Sequence, residues 1–392
     1  MSAVASVEKA LHGAHDRAWR SPRAVAAHWA DADQVDPRLL VCAERGAFWA
    51  TLAERGLTLL VTREYEHLVM ALHPGRREPL VSYLPLPHPS GLAVDRRRGV
   101  VHVACTRNPN QIVELVPARG MRAPGARAPQ ALADRPLVPA VARFLPGATY
   151  LHDLAMIGGT LHANSVGANA ILRIDRTGRT RRVWWPKSVE TARGPRYDRN
   201  LLQLNSIAAG RTLRDSFFTA SAERPGLLPP GHPDFPVDRR GVLFSGASRT
   251  VVVRGLTRPH SARLRRGRVW VANSGYGELG VCEGERFVPI ATPGGWTRGL
   301  AFAGDVAFVG TSRVLPRFHQ YAPGLDPARC VCGVHAVDVR SGRVLGSLIW
   351  PFGNQIFAIA AVPDRFTRRL PIVVGRRGQT VDEQTLFYGF TT

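Results

Sequence analysis

The sequence predicts an all-β protein, a β-propeller of six four-stranded blades behind a short helical N-terminal segment. Two observations carry this reading. A four-residue phrase (a polar residue, a small one, an aliphatic one, then alanine) leads into a strand at Ser90-Gly91-Leu92-Ala93, His152-Asp153-Leu154-Ala155, Asn205-Ser206-Ile207-Ala208, His260-Ser261-Ala262-Arg263, Arg298-Gly299-Leu300-Ala301 and Phe357-Ala358-Ile359-Ala360. Its copies stand 62, 53, 55, 38 and 59 residues apart, as in an array built from one supersecondary unit. Beyond residue 37 the chain also breaks into apolar runs of about 4 to 8 residues punctuated by Gly, Pro, Asp and Arg, the texture of successive strands.

Taken in order, residues 1–36 read as helical. Val4, Val7 and Leu11, then Val25, Ala26 and Trp29, fall on one face, and Ser21-Pro22 stops one helix and opens another. After Asp36-Pro37 the runs LLVCAE, AFWATL, LTLLVTRE and HLVMALH read as strands. Each full copy of the phrase then opens a hairpin whose tight turn is Gly158-Gly159, Arg266-Gly267 or Ala303-Gly304. Third and fourth strands follow, as at 170–175 and 181–185 across the turn Asp175-Arg176-Thr177-Gly178, and complete an antiparallel blade.

Blades in radial array hide all but short sheet edges. Six phrases give six blades, and a seventh would need residues 39–75 to form one of their own. In the six-bladed reading residues 37–392 are one propeller domain, closed where the stretch from Ile356 through Ile372-Val373-Val374 pairs with strands from residues 39–75. Spacings above the roughly 40–50 residues of a compact blade imply inserted loops. The clearest are 116–140, 186–202 and 223–240, all rich in Pro, Gly and Arg.

Composition narrows the class. No run approaches the roughly 18–20 apolar residues of a membrane helix. Glu8, Lys9, His12 and Asp16 interrupt the N-terminus in a way a signal peptide does not. Five cysteines form an odd set without disulfide spacing, which fits a reducing compartment, so the expected location is cytoplasmic. Cys330 and Cys332 share one strand face, as small buried hydrophobes or as a metal or redox pair. The net charge of +22 rests on arginine, because of 52 basic residues only Lys9 and Lys187 are lysine, against 30 acidic ones. That excess favours a small anionic partner, and the long loops offer a surface to a protein. The arginines lie scattered in turns without interleaved aromatics, which argues against sequence-specific nucleic-acid binding. No Gly-x-Ser-x-Gly elbow, P-loop, dinucleotide fingerprint, His-Glu-x-x-His or Cys-x-x-Cys is present, which argues against nucleotide-driven and serine-hydrolase chemistry.

The segment from PHSARLRRGRVWVANSGYGELG through TRGLAFAGDVAFVGTSR, with the later CGVHAVDVRSGRVLGSLIW, resembles a bacterial family of propeller-like conserved hypothetical proteins. The likeness covers roughly residues 150–365, and its phrases NSGYGELG and RPHS are distinctive. It implies the fold and transfers no catalytic residue. A looser likeness connects the chain to six-bladed propellers of the strictosidine synthase, lactonase and gluconolactonase kind. Calcium-binding members of that group depend on a Glu/Asn/Asn/Asp set that this chain does not clearly reproduce.

In a propeller the innermost strands line the channel, so the first position of the phrase sets a ring near one mouth: Ser90, His152, Asn205, His260, Arg298 and Phe357, with His88 just upstream. Polar residues at five of six equivalent places make this ring the best site candidate. His88, His152 and His260 could hold a divalent ion such as Zn, Mn or Ca. Alternatively, His152 or His260 acts as acid or base near neutral pH, or the histidines simply cap strands by hydrogen bonding. Arg298, with Arg258 or Arg263, would hold a carboxylate or phosphate in its planar fork. Ser90 and Asn205 in the ring, with Asn164 and Asn273 at the ends of second strands, complete the substrate-binding candidates, although Asn there also serves turns. Glu278, among the glycines of 275–280, reads as a general base, a metal ligand or an acceptor of turn amides. Two functions follow. One is an enzyme of the hydrolase, lyase or isomerase kind, metal-assisted or not, acting on a small anionic or polyhydroxylated metabolite; the other is a non-catalytic scaffold for a protein or polyanion.

Overall fold

The computed structural model of the protein describes residues 30–106, 110–118, 121–122, 134–145, 149–375, 380–381 and 389–390. Six antiparallel sheets form the blades. Blade 2 is Pro89–Asp95, Val100–Cys105, Gln111–Pro117 and Leu137–Phe144; blade 3 is Leu151–Ile157, Thr160–Ser165, Ala170–Ile174 and Thr180–Trp184. Blade 4 is Leu204–Ala208, Phe217–Ala220, Gly241–Ser245 and Val251–Leu256; blade 5 is Pro259–Arg265, Arg268–Asn273, Glu278–Glu283 and Arg286–Ala291. Blade 6 is Trp296–Ala303, Val306–Ser312, Gly333–Asp338 and Val344–Ile349, with Ala43–Gly46 added at its outer edge. Each innermost strand packs against those of the blades before and after it, and the sixth meets the first, so the ring is closed.

Blade 1 makes the closure. Its innermost strand, Ala358–Pro363, pairs with Leu57–Arg63, setting Leu60 opposite Ala360 and Thr62 opposite Ala358. Leu68–His73 and Leu80–Pro85 follow outward, so residues 57–85 complete the sixth sheet and leave no seventh. Ile372–Val374 joins the same sheet on Tyr83 and Ser82, beyond the 39–75 span expected from sequence.

Two runs expected to be strands are not: Leu39 and Leu40 of LLVCAE end the 3-10 helix Pro37–Leu40, with strand beginning only at Ala43, and AFWATL is helical. Phe48–Ala53, within AFWATL, is a short α-helix in which Thr51 Oγ1 donates to the Ala47 carbonyl at 2.7 Å. Phe48 and Leu52 bury completely, and Phe48 meets Phe308 of blade 6 edge-on. Periodicity cannot separate strand from helix in so short an apolar run, and packing decides. The expected N-terminal helices fall outside the described residues except for 30–33, which are helical. Much of the expected 116–140 loop also lies outside them. No helix among the described residues is long and apolar enough to cross a membrane.

The recurring phrase proves to be a recurring β-bulge. The register between first and second strands shifts at Pro89/Leu92, Leu151/Leu154, Leu204/Ser206, His260/Arg263 and Thr297/Leu300, one shift in each of blades 2 to 6. A bulge leaves ladder groups unpaired and re-aims side chains. Three of the stranded amides find acceptors on the preceding blade, in the second residue of its phrase. Ile207 N–H donates to Asp153 Oδ2 at 3.0 Å, Ala262 N–H to Ser206 Oγ at 2.8 Å, and Gly299 N–H to Ser261 Oγ at 2.8 Å.

Carbonyls are met in the same sense all the way round. Thr62 Oγ1 donates to Ser90 O (2.6 Å), Ser90 Oγ to Leu151 O (2.9 Å), and Asn164 Nδ2 to Leu204 O (2.7 Å). Asn205 Nδ2 donates to Pro259 O (2.9 Å), Ser274 Oγ to Thr297 O (2.6 Å), and Ser312 Oγ to Ile356 O (3.1 Å). These six bonds form a circle from blade to blade. Where the strands approach most closely the phrase needs glycine, since a Cβ at Gly91 would lie 2.6 Å from Asp153 Cα.

Blade 6 carries a buried histidine with a pH consequence. His335 lies between Thr311 Oγ1 and Ser347 Oγ, 2.8 Å from each, and burial, with Arg45 adding to it, pushes its pKa from 6.5 down to about 4. Below the unfolded value the unfolded chain takes up a proton that the folded blade refuses. Stability is therefore flat above pH 6.5 and falls as the pH drops toward 4. The loss from this group should reach about 2 kcal/mol by pH 5. Urea unfolding at pH 7.5 and pH 5 should show it, with a shallower dependence in His335→Gln; equal slopes would refute the assignment.

Candidate functional site

The bulges aim a second ring toward the mouth where the inner strands begin. Two residues before the first phrase position, four successive blades hold a non-glycine residue in the left-handed region: His88 (φ 47°), Tyr150 (55°), Gln203 (53°) and Arg258 (51°). Each costs roughly 1–2 kcal/mol against ordinary backbone, and bulky residues held this way mark sites where placement outweighs stability.

Hydrogen-bond partners sort the candidates into two groups. Ser90, Asn164 and Asn205 belong to the circle of blade-to-blade bonds, and Asn205 also donates to Ser221 Oγ at 3.1 Å. Asn164 Oδ1 further accepts the bulged amides of His152 (3.2 Å) and Asp153. Asn273 accepts Thr257 N–H at 2.7 Å and donates to Glu278 Oε2 at 2.7 Å, which turns that carboxylate to the frame of blade 5. All five side chains are engaged in holding the ring.

The others converge. His152 and His260 stand 5.8 Å apart between ring centroids, and both meet Phe357 edge-on at 5.4 and 5.1 Å. The Arg298 guanidinium lies 4.2 Å over Trp296 and 5.2 Å from the centre of Phe357, and Arg258 lies 4.2 Å over Tyr321. Both arginines are buried, at 7% and 8% exposure, and neither has a carboxylate in direct salt-bridge contact among the described residues, although Glu64 acts on Arg298 at longer range. Among the described residues the Arg258 side chain has one hydrogen bond, a long one of 3.4 Å to Pro230 O.

Burial pushes the Arg298 pKa down to about 10, with Glu64 pulling the other way. It also drives His260 well below its ordinary value, and Arg298 adds to that. His260 is therefore a neutral imidazole. Its Nε2, like Arg298 Nε and Trp296 Nε1, is buried without a hydrogen-bond partner among the described residues.

A strap lies beside this mouth. Between the second and third strands of blade 6, residues 313–332 carry a 3-10 helix, Pro316–Tyr321, whose side chains reach blades 5, 6 and 1. Its Phe318 stacks on Tyr65 of blade 1 at 6.1 Å and meets Trp296 at 5.5 Å, while Arg317 lies 4.5 Å over Tyr65. At the other end of the channel is an open cavity of about 290 Å³, lined by the later phrase residues such as Leu92, Leu154, Ile207 and Leu300. Arg263 reaches its wall but is held by Asp153, Nη1 to Oδ2 at 2.8 Å. Sequence left Arg258 and Arg263 as equal candidates for an anion; only Arg258 is without a carboxylate.

Among the described residues no three His, Cys, Asp or Glu side chains come together as a metal-holding set. His88, expected beside His152 and His260, instead packs on His67 at 4.3 Å and faces Glu64 Oε1 at 3.9 Å.

Residues 46–370 match the domain of unknown function DUF4915. The chain belongs to that family. No curated protein matches the sequence. Among solved structures, the DUF4915 chain is similar to one in the crystal structure of a nidogen/laminin complex, with a TM-score of 0.50 at 12% identity over 78% of this chain and 98% of that one. A gluconolactonase from Xanthomonas campestris gives a TM-score of 0.43 at 14% identity, over 68% and 77%. Virginiamycin B lyase from Staphylococcus aureus gives 0.41 at 13%, over 79% and 99%. At these identities the likeness is one of fold alone.

Sequence reading missed the strap with Tyr321 and Phe318, and the role of Asp153, Ser206 and Ser261. A signal existed for the latter. In three consecutive phrases the second residue is Asp, Ser, Ser, the types that accept a stranded amide.

Proposed function

We propose that this DUF4915 propeller binds a small carboxylate-bearing metabolite at the mouth beside the strap and carries out proton transfer beside the bound carboxylate, chemistry of the lyase or isomerase kind. The observation that supports this most is the pair of buried arginines with no carboxylate in direct salt-bridge contact among the described residues. A buried cation without a directly bonded carboxylate is costly, and a bound anion relieves it. The geometry also favours a planar anion. Aromatic rings cover guanidinium faces at Arg298 and Arg258, leaving the N–H edges, which match a carboxylate fork to fork. His152, within the same aromatic cluster, is the group suited to move a proton at the adjacent carbon while the guanidiniums stabilise the charge that develops. No step in this reading needs a metal.

The test is titration calorimetry with malonate at fixed ionic strength. Arg298→Gln is expected to weaken binding at least tenfold, the loss of roughly 1.4 kcal/mol or more. Binding unchanged in Arg298→Gln, or no binding by the parent protein, would overturn the reading and favour a scaffold for a larger partner. Solvent deuterium appearing at the α-carbon of a bound acid, and not with His152→Ala, would establish the proton transfer.

A further inference from the structure

His260 is gripped on one side only. Nδ1 lies 2.9 Å from Ser261 Oγ, and that oxygen also accepts Gly299 N–H at 2.8 Å. A serine hydroxyl has one hydrogen to give and can accept two. If Nδ1 carried the imidazole hydrogen, Ser261 Oγ would receive two N–H groups. Its own hydrogen would then be stranded at 3% exposure with no other acceptor among the described residues. A stranded buried donor costs about 1–3 kcal/mol. The arrangement that satisfies every group has Ser261 O–H donating to Nδ1, which places the imidazole hydrogen on Nε2, the nitrogen without a partner. Ser261 itself sits in the bulge with a left-handed backbone (φ 53°), so the grip is built into the fold.

We propose that Ser261 is a positioning residue that fixes His260 as the Nε2–H tautomer, so that the ring donates a hydrogen bond to the ligand carboxylate beside the guanidiniums of Arg258 and Arg298. The inference rests on the carboxylate reading above and adds a role to it. Around His260 stand Arg298, His152, Arg263 and Arg258, and around Arg298 stand Glu64, Tyr65 and Tyr150. This cationic surrounding opposes a second proton on the ring, so His260 contributes a neutral donor. The same assignment removes His260 as a base, since Nε2 already bears hydrogen and Nδ1 is engaged. Proton transfer is left to His152.

The tautomer can be read without any ligand. In a long-range 1H–15N spectrum of the full-length protein labelled with 15N-histidine, the signals lost in His260→Gln identify the ring. The expected result is a protonated Nε2 and an unprotonated, hydrogen-bonded Nδ1; a protonated Nδ1 would overturn the proposal. The second arm is malonate titration. Gln places an amide N–H near the position of Nε2, so His260→Gln should bind within about threefold of the parent, whereas His260→Ala should lose about tenfold, the worth of one such bond. Equal losses in the two variants would overturn the donor role even where Nε2 is protonated. Absence of malonate binding in the parent would overturn the carboxylate reading and the donor role with it, while the spectrum of Ser261→Ala would still decide whether Ser261 sets the tautomer: an unchanged Nε2–H form there would overturn the positioning role.

Discussion

A chain ended before Phe357 is expected to lose the native fold altogether, not merely one strand. The missing stretch contains Ala358–Pro363, which stands between Leu57–Arg63 and the channel. It also removes Phe357, Ile359, Val362 and Leu370, all at most 2% exposed. Burial of four such side chains contributes about 6–12 kcal/mol, comparable with the roughly 5–15 kcal/mol by which a whole protein is stable. Polar groups lose their partners as well. Thr62 Oγ1 no longer accepts Ala358 N–H at 3.0 Å, and the inner face of blade 1 meets water where it was dry. The truncated chain should elute as a soluble aggregate or expanded species, without near-ultraviolet circular dichroism and with dye-accessible apolar surface. A monomer that unfolds cooperatively would show that five blades and three-quarters of a sixth suffice, and that closure is not what holds the ring.

Much of this architecture is legible in the chain because it repeats. A packing unit used six times leaves six copies of its most constrained segment, and four residues at the first phrase position, His152, His260, Arg298 and Phe357, lie in mutual contact. What the sequence hides is non-local. A register shift is a relation between two strands, so the bulge in His152-Asp153-Leu154-Ala155 cannot be seen without Ser165 and Ala163 opposite it. The choice between Arg258 and Arg263 depends on Asp153, which lies two blades away from them in the chain. AFWATL is ambiguous for a different reason, since six residues are too few for a period to show and the decision belongs to Phe48 and Leu52 finding the core of blade 6. The strap left a trace in the spacing of 59 residues between Arg298 and Phe357, but nothing local says that its Tyr321 returns to Arg258 on the preceding blade.

Asp153→Ala should be among the most damaging single substitutions, although Asp153 is not one of the candidate site residues. Its carboxylate is 2% exposed and joins three blades. Oδ2 accepts the bulged Ile207 N–H of blade 4 at 3.0 Å and Arg263 Nη1 of blade 5 at 2.8 Å, while Oδ1 accepts Leu154 N–H at 3.1 Å. Alanine leaves a buried amide without an acceptor and Arg263 as a lone cation in the channel wall. Breaking such a pair typically costs 3–5 kcal/mol, and because the Arg263 side chain keeps 21% exposure the expected loss is at the lower end, about 3 kcal/mol. Asp153→Asn keeps an acceptor for Ile207 but loses the charge, and should fall between the parent and Asp153→Ala. The double variant Asp153→Ala/Arg263→Met removes the stranded cation together with its partner, and should be more stable than Asp153→Ala alone. Urea midpoints for the four proteins decide the matter, and Asp153→Ala within 1 kcal/mol of the parent would mean that the bulged amide and Arg263 find water instead.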